Sequence, residues 1–188
     1  MTETNTQAPG TARASGHSVA DTLRADEVPP PAALLEEHYS FLGDEAIPAS
    51  RYTDPDFARR EFDAVWAHTW QWVCREEHIP DAGDSYVYDI GPWSVIVVRG
   101  RDNEIRAFHN RCTHRGTRLL AAEGCGFSQG FACPFHGWRW QLDGRLDSLP
   151  GGWDFPHVSE ETHSLRPVSV DTWSGFVFIN LDPDCPPF

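Results

Sequence analysis

Residues 85–116 read SYVYDIGPWSVIVVRGRDNEIRAFHNRCTHRG, and the fold turns on them. Ser85 to Ile90, Trp93 to Arg99 and Ile105 to Phe108 are short runs rich in Val, Ile and Tyr, the composition and length of strands. Gly91-Pro92 and Asp102-Asn103 punctuate them as turns, as Gly83-Asp84 does just upstream. Further strands are expected at Gln71 to Arg75 on one side, and on the other at Trp138 to Leu142, Arg145 to Leu146, Leu165 to Trp173 and Phe176 to Leu181. Asp143-Gly144, between two of these, reads as a type I′ hairpin turn. Short strands at near-regular spacing predict a mainly β domain, an antiparallel sandwich or barrel.

Upstream of Trp70 the period becomes helical. Asp54 is a good N-cap, Pro55 suits the first helical position, and Asp56 sits in the first turn. Ala58, Phe62, Val65, Trp66 and Thr69 then recur on one face, so Pro55 to about His68 is expected to be an amphipathic helix. A shorter helix is expected from Ala32 to Tyr39. Residues 1–31, rich in Thr, Ala, Ser, Gly and Pro, cannot bury enough apolar surface to offset their ordering entropy and read as a disordered tail.

The chain has 188 residues, 28 of them acidic and 15 basic, for a net charge of -13. That balance argues against a nucleic-acid partner, which demands a basic face. No apolar run is long enough to span a membrane, and the polar N-terminus has no secretory pattern, so a cytoplasmic protein is expected. Five cysteines in a reducing compartment point away from a disulfide framework and toward metal or redox roles.

Two segments carry that chemistry: Asn110-Arg111-Cys112-Thr113-His114-Arg115-Gly116 and Cys133-Pro134-Phe135-His136-Gly137-Trp138. Each offers one thiolate and one imidazole on a Gly-containing turn. Composition alone makes either pair expected about 0.24 times by chance, so the specificity lies in the two occurring together with matching flanks. Two sulfurs and two nitrogens could hold tetrahedral zinc. They could equally hold a [2Fe-2S] cluster, with the thiolates on one iron and the imidazoles on the other. Mixed Cys/His loops on a β scaffold of this size favour the cluster.

The sequence here resembles the Rieske family, and specifically the large (alpha) subunit of Rieske non-haem iron ring-hydroxylating oxygenases. Val97-Val98-Arg99, Arg106 to Asn110, His114-Arg115-Gly116, Cys133 to Trp138, Asp143-Gly144 and Gly175 to Asn180 carry the likeness, over roughly Tyr52 to Phe188. The resemblance implies an antiparallel β-sandwich with a cluster-binding subdomain. It implies one [2Fe-2S] cluster, with Cys112 and Cys133 on the buried iron and His114 and His136 on the outer iron. It divides the chain into a tail (1–31), a helical preface (32–69), a Rieske domain (70–181) and the start of a catalytic domain (182–188) that this chain does not contain. Mononuclear Fe(II) would belong to that domain alone, so no catalytic residue is assigned. The implied activity is one-electron transfer from a ferredoxin or flavin reductase to mononuclear iron, for O2-dependent hydroxylation of an aromatic-type substrate. Homotrimer contacts would belong to the full-length subunit. A stand-alone Rieske ferredoxin is the alternative reading.

The resemblance also sorts subfamilies. Respiratory Rieske proteins tie their cluster loops with a disulfide whose cysteines would fall at Thr117 and Phe135, so that bridge is impossible here. Their sulfide-directed serine is replaced by Trp138, which predicts a potential near the low end of the Rieske range, about -150 mV. Elsewhere, Asp154-Phe155-Pro156-His157 with His163 resembles an iron triad only superficially and reads as a solvated loop. Cys74, Cys125 and Cys185 read as free thiols and His109 as structural. Arg111, Arg115, Arg118 and Arg139 gather near the ligand loops, either as a solvated face or as a docking patch for an acidic ferredoxin. Trp66, Trp70, Trp72 and Trp140 read as core or interface.

Overall fold

The computed structural model describes residues 17, 19–36, 45–121 and 124–188. The chain forms two compact units, residues 1–49 and 50–188. In the first, Val19–Arg24 (α1) is a short helix with no buried residue, inside the segment read as a tail. The expected helix at Ala32 to Tyr39 is a single 3-10 turn at Ala32–Leu34, and its end falls outside the described residues.

The second unit opens with short helices at Ser50–Thr53 (α2) and Pro55–Glu61 (α3). Asp54 caps α3 by accepting the Asp56 N–H at 2.8 Å, as its position before Pro55 predicts. The helix then widens into a π-turn at Phe62–Trp66. Its apolar face stays largely open. Phe62 packs edge-on against Trp93, while Val65 and Trp66 are exposed.

Ten strands follow among the described residues: β1 (Gln71–Arg75), β2 (Asp84–Ile90), β3 (Trp93–Arg99), β4 (Ile105–His109), β5 (Gly124–Phe127), β6 (Phe131–Ala132), β7 (Arg139–Trp140), β8 (Leu146–Ser148), β9 (Pro167–Trp173) and β10 (Phe176–Asn180). Seven form one sheet in the order β1-β10-β9-β4-β3-β2-β5, and β6-β7-β8 form a small second sheet. Every pairing is antiparallel. A short helix, Glu160–His163 (α4), stands before β9.

The uninterrupted apolar run Val95 to Val98 on β3 has a physical reason. Ile96 and Val98 face one core, with Phe108, Phe131, Trp138 and Trp140. Val95 and Val97 face the other, with Val73, Cys74, Val177 and Ile179. All four are fully buried, and at roughly 1.5–3 kcal/mol for each aliphatic side chain removed from water they anchor both layers. The first core joins the large sheet to the small one and contains Cys112 and Cys133.

Two sequence expectations need correction. The hairpin at Asp143-Gly144 exists, pairing β7 with β8, but its turn is not type I′. That type needs a positive φ at both central residues. Here Gly144 has φ 84 and Asp143 does not share it. The Gly144 N–H returns to the Gln141 carbonyl at 3.0 Å, so Leu142-Asp143 make the turn and Gly144 follows in the left-handed region. The second correction is an omission. Strand β5 reads Gly124-Cys125-Gly126-Phe127, and two glycines in four residues give no strand signal. Pairing with β2 makes the strand.

Candidate iron-sulfur site

The two Cys/His segments fold alike. The Cys112 N–H donates to the Thr117 carbonyl at 2.7 Å and the Gly116 N–H to the Cys112 carbonyl at 2.9 Å. In the second loop the Cys133 N–H donates to the Trp138 carbonyl at 2.8 Å and the Gly137 N–H to the Cys133 carbonyl at 3.0 Å. Each loop is thus closed between its first and sixth residues, with glycine fifth. Gly116 and Gly137 have φ of 77° and 73°. A side chain in that left-handed region costs about 1–2 kcal/mol, and glycine lets the chain reverse this tightly without that cost.

Such a loop points successive N–H groups inward, a concavity suited to an anion. The backbone N–H groups of His114 and Arg115 reach the Cys112 sulfur, and those of Phe135 and His136 reach the Cys133 sulfur. Both cysteines are buried at 3% exposure, and their thiols touch. Burial pushes the Cys112 thiol up. Burial also opposes the Cys133 thiolate, yet the N–H donors, the Cys112 thiol and the Thr117 hydroxyl together hold Cys133 below the usual thiol range.

The imidazoles form the other pair. The His114 ring lies 4.9 Å from that of His136 and stacks at 4.7 Å, nearly parallel, on the Trp138 indole. The His114 Nδ1 atom is buried and has no hydrogen-bond partner. An orphaned buried polar atom costs about 1–3 kcal/mol. Burial, with His136, Arg115 and His163 nearby, pushes the His114 pKa down and keeps the ring neutral. A buried, neutral, unpartnered nitrogen is a ready metal donor. Among the described residues, no three His, Cys, Asp or Glu side chains gather for a single ion. The donors stand as a thiol pair and an imidazole pair, the donor set of a two-iron cluster with thiolates on one iron and imidazoles on the other.

What holds the loops was hidden in the sequence. Asn110 is buried at 3% exposure and makes four bonds. Its Nδ2 donates to Ser94 Oγ at 3.0 Å and the Leu120 carbonyl at 2.8 Å, while its Oδ1 accepts the N–H groups of Leu119 and Leu120 at 3.1 and 2.9 Å. This clamp ties the entry of the first loop to its exit. A third segment braces the other side. The His163 carbonyl accepts from Thr113 Oγ1 at 2.8 Å and from Trp140 Nε1 at 2.9 Å, linking the first loop to β7, the strand that follows the second. Nothing local in the sequence signals a carbonyl's partners 23 and 50 residues away.

Comparison with known proteins agrees with this geometry. Residues 69–156 match the family of the Rieske [2Fe-2S] domain. The chain carries a Rieske domain. Among its relatives is the oxygenase subunit of carnitine monooxygenase from Escherichia coli strain K12, 36% identical over 156 residues, or 82% of this chain and 41% of that subunit. The alpha subunit of biphenyl 2,3-dioxygenase from Rhodococcus jostii strain RHA1 is also 36% identical, over 72% of this chain and 29% of that one. A crystal structure of a quaternary ammonium Rieske monooxygenase without ligand superposes with a TM-score of 0.70 at 30% identity, covering 76% of this chain and 41% of the other. The chain thus spans about two fifths or less of these oxygenase subunits, and matches their Rieske half.

Within the Rieske domain, the remaining residues sort clearly. The loop Asp154 to His163, expected to be solvated, is in part a wall of the site. Phe155 lies edge-on to His114 at 6.3 Å and to Trp138 at 6.1 Å, and His163 lies 5.6 Å from Trp138. His157 and His163 are 6.4 Å apart and join no metal-binding group among the described residues. Of the four arginines, Arg118 is engaged by Asp89 at 2.9 Å, whereas Arg111, Arg115 and Arg139 are exposed. All five cysteines are free thiols. Cys74 is buried and its thiol is pushed up to about 12, chiefly by burial. Burial likewise lowers the His109 pKa at the end of β4. Trp140 is core, while Trp66 and Trp72 are exposed. No helix among the described residues is long and apolar enough to cross a membrane.

Proposed function

We propose that the chain is the electron-transfer half of a Rieske oxygenase large subunit, with Cys112, Cys133, His114 and His136 holding one [2Fe-2S] cluster. The observation that carries this reading is the convergence of two like-folded loops on a buried thiol pair and an imidazole pair containing the unpartnered His114 Nδ1. A bound cluster supplies reversible one-electron chemistry. The chain's own residues do the rest. The inward N–H groups stabilise the thiolates, burial keeps His114 neutral, and Trp138, Phe155 and the core around Cys112 and Cys133 exclude water.

The domain division follows from the same reading: a preface at 32–69, the electron-transfer domain at 70–181, and at 182–188 the approach to a catalytic domain with mononuclear Fe(II). The electron donor would be a ferredoxin or flavin reductase. Exposed Arg111, Arg115 and Arg139 offer it positive charge on a chain whose net charge is -13. Homotrimeric assembly belongs to the whole subunit. The substrate read from the sequence is aromatic. Relatives named for carnitine match as well as one named for biphenyl, so the function proposed for this half is electron delivery to either kind of oxygenation. Protein-film voltammetry tests it. A one-electron couple near the low end of the Rieske range, about -150 mV, is expected, and one above about +100 mV would place the chain with respiratory-type proteins instead.

A further inference from the structure

A cavity of about 630 Å³ lies between the turn joining β3 to β4 on one side and residues 129–132 with the β7–β8 hairpin on the other. None of Cys112, His114, Cys133 and His136 lines it. Its walls are held by contacts of their own. Arg101 Nη2 donates to the Gln129 carbonyl at 3.1 Å, stapling the turn to the far wall. Arg106 makes a two-pronged pair with Asp102 at 2.8 and 2.6 Å. Arg145 pairs with Asp143 at 2.7 Å and donates to Gln141 Oε1 at 3.3 Å. Gly144 lies so close to the Phe108 ring that no Cβ would fit, which seats the hairpin on β4.

The charges around this cavity do not cancel. Acidic residues outnumber basic ones in the chain 28 to 15, yet four of those 15 line this one cavity against three aspartates. The two pairs just described neutralise Arg106 and Arg145. Asp147, the third aspartate, is taken up by Gln141 Nε2 at 3.4 Å and Ser148 Oγ at 3.2 Å. Arg101 has only the Gln129 carbonyl, and the Arg139 side chain has no partner among the described residues. Two guanidiniums therefore face the cavity without a carboxylate, one from the turn and one from the small sheet. We propose that this cleft binds a small dicarboxylate, with one carboxylate on Arg101 and the other on Arg139. A guanidinium presents a planar fork of donors that matches a carboxylate in two parallel hydrogen bonds. The volume falls within the range of about 300–1,000 Å³ that encloses a whole small molecule, unlike the flatter patch a protein partner covers. The site stands apart from the cluster and adds a ligand to the electron-transfer function.

The experiment is titration calorimetry of the full chain as purified, at low and fixed ionic strength, with succinate as the probe and succinamide as its uncharged counterpart. The variants are Arg101→Gln and Arg139→Gln, with Arg166→Gln, exposed and outside the cleft, as the control for a charge lost elsewhere. Circular dichroism verifies the fold of each. Arg139 is exposed and unbonded, so its replacement leaves no buried group without a partner. Saturable binding of succinate at one site per chain is expected, with none of succinamide. Each cleft variant is expected to bind succinate about tenfold more weakly, the scale of one charge-assisted interaction, while Arg166→Gln matches the wild type. No saturable binding of succinate to the wild-type chain overturns the proposal, as do cleft variants that bind as the wild type does. An equal loss in Arg166→Gln also overturns it, because the attraction would then come from overall charge and not from the cleft.

Discussion

Replacing Asn110 with alanine should cost about 3 kcal/mol of stability and loosen the first ligand loop. The magnitude comes from what the side chain satisfies. Its Oδ1 is the acceptor for the Leu119 and Leu120 N–H groups, and Asn110 and Leu119 are buried. Each buried donor left without a partner costs about 1–3 kcal/mol. The lost Nδ2 bonds cost less, because the Leu120 carbonyl keeps a bond from Arg118 Nε at 2.8 Å and Ser94 has Asp89 beside it. Two orphaned N–H groups at the middle of the range, partly relieved by water, give the total. With a urea slope of about 2 kcal/mol per molar for a domain of this size, the unfolding midpoint should fall by about 1.5 M. Tryptophan fluorescence reads the transition, and Asn110→Asp, which keeps the acceptor, should fall between alanine and wild type. A midpoint shift below about 0.25 M in Asn110→Ala would refute the clamp.

Other expectations are more direct. Cys133→Ser should purify without an iron-sulfur spectrum and with a large loss of stability, since metal-binding free energy is also folding free energy; wild-type iron content in that variant would contradict the ligand set. Cys74, buried and pushed up to about 12, has about one thiolate in ten thousand at pH 8, so a chromogenic disulfide should leave it unmodified in the native protein while exposed Cys125 reacts; rapid labelling at Cys74 would contradict the packing. Although burial works against its charged form, Asp89 is held below the ordinary carboxylate range by hydrogen bonds from Ser94 and Arg118. A carboxylate with a depressed folded-state pKa contributes stability above its unfolded value and loses it as pH falls through the folded one. Arg118→Met should therefore flatten the loss of stability below about pH 4; an acid-unfolding profile identical to wild type would count against the pairing.

The parts of this molecule legible in the sequence are those whose cause is local. Val95 to Val98 announce a strand because each is apolar and β-favouring, whichever core it faces. Cys112-x-His114 and Cys133-x-x-His136 announce a site because ligand loops are short and their spacing is set by a tight turn. What escaped is what only the fold brings together. Strand β5 exists because β2 offers an edge, not because Gly124-Cys125-Gly126-Phe127 prefers extension. Asp143-Gly144 marks a hairpin, but the choice of turn depends on strand register, which shifts between Arg139 and Trp140. The wall at Phe155 and His163 is invisible because its contacts are a ring edge and a main-chain carbonyl, neither of which leaves a residue pattern. Asn110 acts across a gap in the chain and looks, locally, like an ordinary loop residue.

The measurement that bears most directly on the central claim is iron, acid-labile sulfide and zinc analysis of the chain purified from iron-replete cells, joined to EPR after dithionite reduction. Two irons and two sulfides per chain are expected, as for one [2Fe-2S] cluster. The reduced spectrum should be rhombic, with an average g below that of an all-cysteine cluster because imidazoles ligate one iron. Stoichiometric zinc with negligible iron and sulfide, or the spectrum of an all-cysteine cluster, would contradict the assignment of Cys112, His114, Cys133 and His136.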